Sequence, residues 1–268
     1  MREKIEPQKG LNQAFAIING RLERCKKILH LLVEQIDILE TMTPMAFLEF
    51  RDNLIPASGF QSLQFRLLEQ LLGLPILHAQ GCPHYRLNEH DFAVLKASGQ
   101  EKSLLQQLNE FLAHLPYTKE KSKNFWLSYY QKIQVAFAKE SKLIQENTFL
   151  SVQEKNLQQA QLQENLICFQ QWYEQADSVQ AQVGFVALYI FLHQEQEEFS
   201  AVYQFLKNLM DIDELICLWR YHHYLMVQRM IGHKIGTGGS SGQEYLKNHL
   251  ESNRVFGFLL QLINFLTH

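Results

Sequence analysis

The sequence predicts an all-α fold, a helical bundle, and three observations predict it. Apolar residues recur at helical spacing, long stretches are filled with good helix formers, and no segment alternates apolar and polar residues long enough to demand a sheet. The clearest periodicity comes first. Ile18, Leu22, Cys25, Leu29, Leu32, Ile36 and Leu39 step by four and three residues in turn, which lays one apolar stripe along a helix. The stripe lasts only about three heptads, so packing inside a bundle is expected rather than a free coiled coil.

The segment from Ser62 to Leu72 is apolar on more than one side, as in a helix buried at the centre of a protein. Residues 104–112, 124–146 and 151–174 are rich in Gln, Glu, Lys and Leu, all favourable in helices. The Gln-rich run from Gln158 carries interspersed Leu and Ile and reads as helix rather than as a disordered tract. A further long helix is expected from about Ser200, a candidate amino-terminal cap, to Ile231. Gly, Pro and Ser concentrate in loops at Leu54, from Leu74 to Asp91, at His114 and from Gly232. No internal repeat or linker divides the chain, so a single domain over residues 1–268 is expected.

Composition narrows the function classes. With 268 residues, 46% of them hydrophobic and 12% aromatic, the chain has ample material for a core. Lys and Arg total 25 against 28 Asp and Glu, which leaves no positive excess to neutralise a nucleic-acid backbone. The four cysteines, Cys25, Cys82, Cys168 and Cys217, form no CxxC pair, which argues against a zinc site and a disulfide framework. The amino terminus is charged, and the most apolar run, VGFVALYIFL from Val183, is far shorter than the ~20 residues of a membrane helix. A soluble cytoplasmic protein, with no nucleic-acid or membrane partner, is expected.

Three segments carry candidate chemistry. In Phe47–Glu69, Pro56, Ser58 and Gly59 make a turn whose serine can cap the following helix, and Arg51 sits one turn before the break. Arg51 is either a surface arginine at a helix end or a guanidinium that grips a carboxylate with two parallel hydrogen bonds. On the long helix, His222 and His223 project about 100° apart, so one metal ion cannot easily take both. His223 shares a face with Trp219 and Val227; His222 shares one with Leu218, Leu225 and Met226, and periodicity does not choose between them. A single neutral imidazole in an apolar lining suits an axial haem ligand, because the macrocycle brings the other donors.

The third segment, Gly236 to Gly242, combines glycines with the hydroxyls of Thr237, Ser240 and Ser241. It is not a phosphate loop: no Gly-Lys-Ser/Thr ending exists, no strand precedes it, and Lys234 lies before the glycines. A flexible connection and a ligand loop both remain open. His84 and His90 lack neighbouring ligands, and Asp211 and Asp213, two apart on a helix, do not face one another.

Two of these blocks, in order, resemble the tryptophan 2,3-dioxygenase family. The first is FRDNLIPASGFQSLQFRLLE from Phe50, after the lead-in Leu39-Glu40-Thr41-Met42-Thr43. The second is LMDIDELICLWRYHHYLMVQRMIGHKIGTGGSSGQEYL from Leu209, with its TGGSS core. Asn124-Phe125-Trp126 between them also fits, so the similarity runs from about Leu11 to the carboxyl end.

The resemblance implies a helical bundle enclosing a haem pocket, with one haem b per subunit. In the family pattern Trp-Arg-Tyr-x-His, His222 takes the variable slot and His223 that of the axial iron ligand. Arg51 matches the residue that binds the substrate carboxylate, and Thr237 the loop residue at the amino-acid end of tryptophan. Phe47 and Leu54 match pocket-lining positions, Ser58 falls beside the haem, and Trp219 and Tyr245 match aromatic residues on its proximal side. The implied reaction joins O2 to L-tryptophan, opening the indole C2–C3 bond to give N-formylkynurenine, with the protein supplying orientation and no general base. A homotetramer is implied as well. The family's amino-terminal helix, with a pattern like LFIxxHQxxELW that lines the distal side, has no counterpart in this sequence. That leaves two expectations: an enzyme read as a shorter piece, or a short haem- or indole-binding paralogue without efficient turnover. Exposed apolar surface is expected where the absent helix would lie.

Overall fold

A computed structural model describes residues 5–51, 53, 59–74, 88–115, 122–175, 178–235, 246–247, 250 and 254–267. Among these residues the secondary structure is helical, with no strand. The chain falls into two compact units, one formed by residues 1–107 and 204–257, the other by 108–203 and 258–268.

In the first unit, α1 (Ile5–Glu40) buries Phe15, Leu22, Leu29, Val33 and Ile36. Three of the seven stripe positions, Leu22, Leu29 and Ile36, are therefore in the core. Three others are not: Ile18, Cys25 and Leu32 stay at the surface, beside exposed Ile17, Ile28, Leu31 and Ile38, and Leu39 is half-buried. The helix packs along one side against α9 (Glu197–Met230), through Phe15 on Phe205 and through Lys26, whose Nζ donates to Asn208 and Asp211. Each seventh residue of the seam thus turns to the core while its companions turn out. The helix is richer in apolar surface than this packing consumes.

Pro44, whose fixed φ suits a first helical turn, opens α2 (Pro44–Arg51), with Thr43 Oγ1 accepting from the Ala46 N–H. Helix α3 (Leu63–Leu72) starts at Ser62, whose hydroxyl accepts from Phe65 N, and stops at Gly73, held at φ 123°. Ser62 is thus the cap of α3, while the cap expected from Ser58 falls outside the described residues. Helix α3 is also less central than expected, with Leu71 43% exposed. Helix α4 (Glu89–Ser98) begins inside what the sequence suggested was loop, because Asn88 caps it by accepting from Asp91 N. Helix α5 (Leu104–His114) follows. Helix α9 starts one turn earlier than expected: Ser200 is interior, and Glu197 and Glu198 occupy the electropositive first turn instead.

The second unit is built on the pair α6 (Ser122–Glu146) and α7 (Val152–Glu174), the latter opened by a capping box between Ser151 and Glu154. The Gln-rich run is indeed helix. Tyr130 stacks between Phe169 and Tyr173, and Tyr129 donates its hydroxyl to the Phe265 carbonyl. The run from Val183 is a buried helix, α8 (Val179–Leu192), where Gly184 lies against the Trp172 ring. A short helix α10 (Gly257–Gln261) ends the described chain with a 3-10 turn over Leu262–Phe265. Among the described residues no helix is long and apolar enough to cross a membrane.

Candidate functional site

The candidate site belongs to the first unit and is organised by α9. Residues 219 and 223 are one turn apart, so their side chains share a face. Trp219 stacks on His223 with centroids 5.3 Å apart, and Phe65 of α3 stacks on Trp219 at 4.7 Å. Val227, one turn further, is buried as well. His222 faces elsewhere: its Nδ1 is 3.4 Å from Asp37 of α1, and of its face-mates, Leu218 and Leu225 are exposed while Met226 is buried. Tertiary packing thus separates two histidines that periodicity leaves equivalent.

Part of His223 reaches the surface, but Nδ1 is shielded from solvent, and burial of the ring lowers its pKa from 6.5 to about 4. The imidazole is therefore neutral at physiological pH and keeps a lone pair for coordination. Its Nε2 is turned toward Gly59. That glycine has φ 58°, where a side chain is strained, and a Cβ placed on it would lie 2.8 Å from His223 Cε1 and closer still to Nε2. The absent side chain lets the backbone of the turn lie directly against the nitrogen. The turn is fixed from behind, since Ser62 donates from both its N–H and its hydroxyl to the Gly59 carbonyl.

Arg51 ends α2. Its Nη2 donates to the Ile235 carbonyl at 2.5 Å, while its Nε is buried with no hydrogen-bond partner among the described residues. The contact ties the guanidinium to the residue just before segment 236–245, which holds Thr237 and Tyr245. Those two, with Leu54 and Ser58, lie outside the described residues. Phe47, one turn before Arg51, is buried and packs on Phe50.

Sequence reasoning named Gly59 only as part of a turn and missed Phe65, Glu69 and Arg220. Glycine at a position needing positive φ was the available signal for the first. For Arg220 the signal was a charged residue inside an apolar helix face. It is fully buried, with Nη2 on Glu69 Oε1 at 2.5 Å. Asp211 and Asp213 do part company as expected: Asp211 pairs with Lys26 and Lys207, while buried Asp213 accepts the N–H groups of Val255 and Phe256.

No group of three or more His, Cys, Asp or Glu is placed to hold a metal ion among the described residues. One neutral imidazole, with no second protein ligand beside it among the described residues, fits a metal that arrives with its remaining donors already supplied. Among the described residues the fold is all-α, and the site gathers one buried-ring histidine on α9 against the Gly59 turn. The sequence model described as tryptophan 2,3-dioxygenase matches residues 6–266, and the chain belongs to that family. It is 37% identical over 94% of its length to the tryptophan 2,3-dioxygenase of Bdellovibrio bacteriovorus, covering 74% of that protein. It is 39% identical to those of Dictyostelium discoideum and Mus musculus, over 86% and 92% of its own length. The chain covers 61% and 64% of these two relatives, so it spans about three fifths to three quarters of the relatives named here. The family is a haem-dependent class of oxidoreductases acting on tryptophan and O2.

Proposed function

We propose that this chain cleaves the indole C2–C3 bond of L-tryptophan with O2 to give N-formylkynurenine, holding haem b through His223. The observation that carries this is the state of His223: neutral, shielded, stacked on Trp219 and turned to the bare backbone of Gly59. Haem, when bound, supplies the iron at which O2 is activated. Everything else falls to the chain's own residues.

Trp219 and Phe65 restrict the rotation of the His223 ring and keep water from its face. A ligand larger than a hydrogen atom reaches Nε2 only if the Gly59 turn yields, so loading is coupled to movement of that turn. Arg51 binds the substrate carboxylate, which gives its buried Nε an acceptor that no described residue supplies and uses the planar fork of the guanidinium. Phe47 and Leu54 line the indole pocket, Thr237 holds the amino-acid end, and Ser58 and Tyr245 flank the haem. Positioning of this sort is a large part of what an enzyme contributes to a cofactor's reaction. The same family reading carries a homotetramer in the cytoplasm.

The test is reconstitution with haemin, reduction, and measurement of N-formylkynurenine from L-tryptophan under air. Product that depends on His223 is the expected result. Haem uptake without product would leave a haem-binding relative lacking turnover.

A further inference from the structure

Behind the His223 stack lies a pair that the proposed function does not use. Arg220 is wholly buried, and its Nη2 meets Glu69 Oε1 at 2.5 Å, with the Glu69 side chain 23% exposed. The guanidinium carbon also lies 5.6 Å from the centroid of the Phe65 ring. Phe65 and Glu69 are one turn apart on α3, as Trp219 and His223 are on α9. The result is a continuous column: Glu69 on Arg220, Arg220 over Phe65, Phe65 on Trp219, Trp219 on His223.

A buried ion pair is poor evidence of stabilisation, since well-packed apolar residues of similar volume often serve as well or better. Its particular property is direction. A carboxylate and a guanidinium meet in few geometries, whereas apolar side chains slide past one another. The pair joins the middle of α3 to α9 one turn before His223. The start of α3 carries the Gly59 turn, through the Ser62 cap and its bonds to the Gly59 carbonyl. The register of α3 on α9 therefore decides where Gly59 stands relative to Nε2.

We propose that Glu69 and Arg220 are positioning residues: their ion pair locks α3 to α9 and so fixes the His223 imidazole, through Phe65 and Trp219, for axial ligation. The proposal rests on the reading of His223 as the haem ligand.

The test uses the full chain in three forms: wild type, Glu69→Gln, and the double variant Glu69→Met/Arg220→Met. Each is titrated with haemin, and the iron–histidine stretching band of the reduced complex is recorded by resonance Raman spectroscopy. Thermal melting of each apo form is measured alongside. The double variant is expected to melt within a few degrees of wild type, yet to bind haemin at least about tenfold more weakly with a shifted or broadened band. Glu69→Gln keeps the shape and one acceptor, and is expected to shift in the same direction by a smaller amount. A folded double variant with wild-type affinity and band overturns the proposal. If the double variant does not fold, Glu69→Gln decides, and an unchanged band overturns the proposal. Failure of the wild type to take up haemin, or uptake unaltered in His223→Ala, sinks the ligand assignment itself and this proposal with it.

Discussion

Replacing Gly59 by alanine tests the contact on which the site turns. Two costs add. An L-residue at φ 58° carries about 1–2 kcal/mol of left-handed strain. The new Cβ would also lie 2.8 Å from His223 Cε1, more than half an ångström inside ordinary contact, and neither partner is the free end of a flexible chain. Overpacking of this kind costs about 1–3 kcal/mol. Gly232 supplies the internal control: it has φ 62°, and a Cβ there meets nothing within 4 Å, so Gly232→Ala carries the strain alone. In chemical denaturation Gly59→Ala is expected to lose about 2–5 kcal/mol and Gly232→Ala about 1–2. In a His223→Ala background the Gly59→Ala cost should fall to the Gly232→Ala level, because the partner of the clash is gone. Equal losses at the two glycines in the native background would refute the placement of Gly59 against the imidazole.

Other outcomes follow from the same geometry. His223 has a folded pKa of about 4 against 6.5 unfolded, so between these values the unfolded chain binds the extra proton. Its contribution is complete above about pH 6.5 and is lost as pH falls toward 4, by at most about 3 kcal/mol and less for the solvent-reached part of the ring. Urea midpoints from pH 7 to 4.5 should fall more steeply for wild type than for His223→Phe. Asp213→Ala strips the acceptor from the Val255 and Phe256 N–H groups, a loss of about 1–3 kcal/mol for each. Amide hydrogen exchange at those two positions should accelerate in Asp213→Ala and much less in Asp213→Asn, which keeps one oxygen. Arg51→Ala should raise KM for tryptophan by about two orders of magnitude, from the loss of two charge-assisted bonds at about 1.5 kcal/mol each, with haemin affinity unchanged. Arg51→Lys should recover little of it, because an ammonium cannot present the planar fork.

Helices were legible wherever one face carried the signal. The 3.6-residue pattern and helix formers placed α5, α6, α7 and α9 within a few residues, whereas α4 was hidden because its cap, Asn88, sits in a loop-like stretch. Along α1 the period was right but the partner was not readable, so the sequence could not tell that Leu22, Leu29 and Ile36 turn inward while Ile18, Cys25 and Leu32 do not. Something similar holds at the site. A one-dimensional pattern gave His222 and His223 equal apolar company. Only the packing of α1 on one side and α3 on the other distinguishes a histidine beside Asp37 from one beneath Trp219. Gly59 and Glu69 escaped for the same reason: their partners, His223 and Arg220, are more than 150 residues away in the chain. Family register supplied what periodicity lacked, by choosing His223.

The central claim is that His223, and not its neighbour, holds the cofactor. The direct measurement is the ferrous–carbon monoxide absorption spectrum of haemin-loaded wild type, His222→Ala and His223→Ala. Wild type and His222→Ala should give the same single-histidine spectrum, and His223→Ala should lose it. A spectrum retained in His223→Ala, or lost in His222→Ala with the fold intact, would contradict the account.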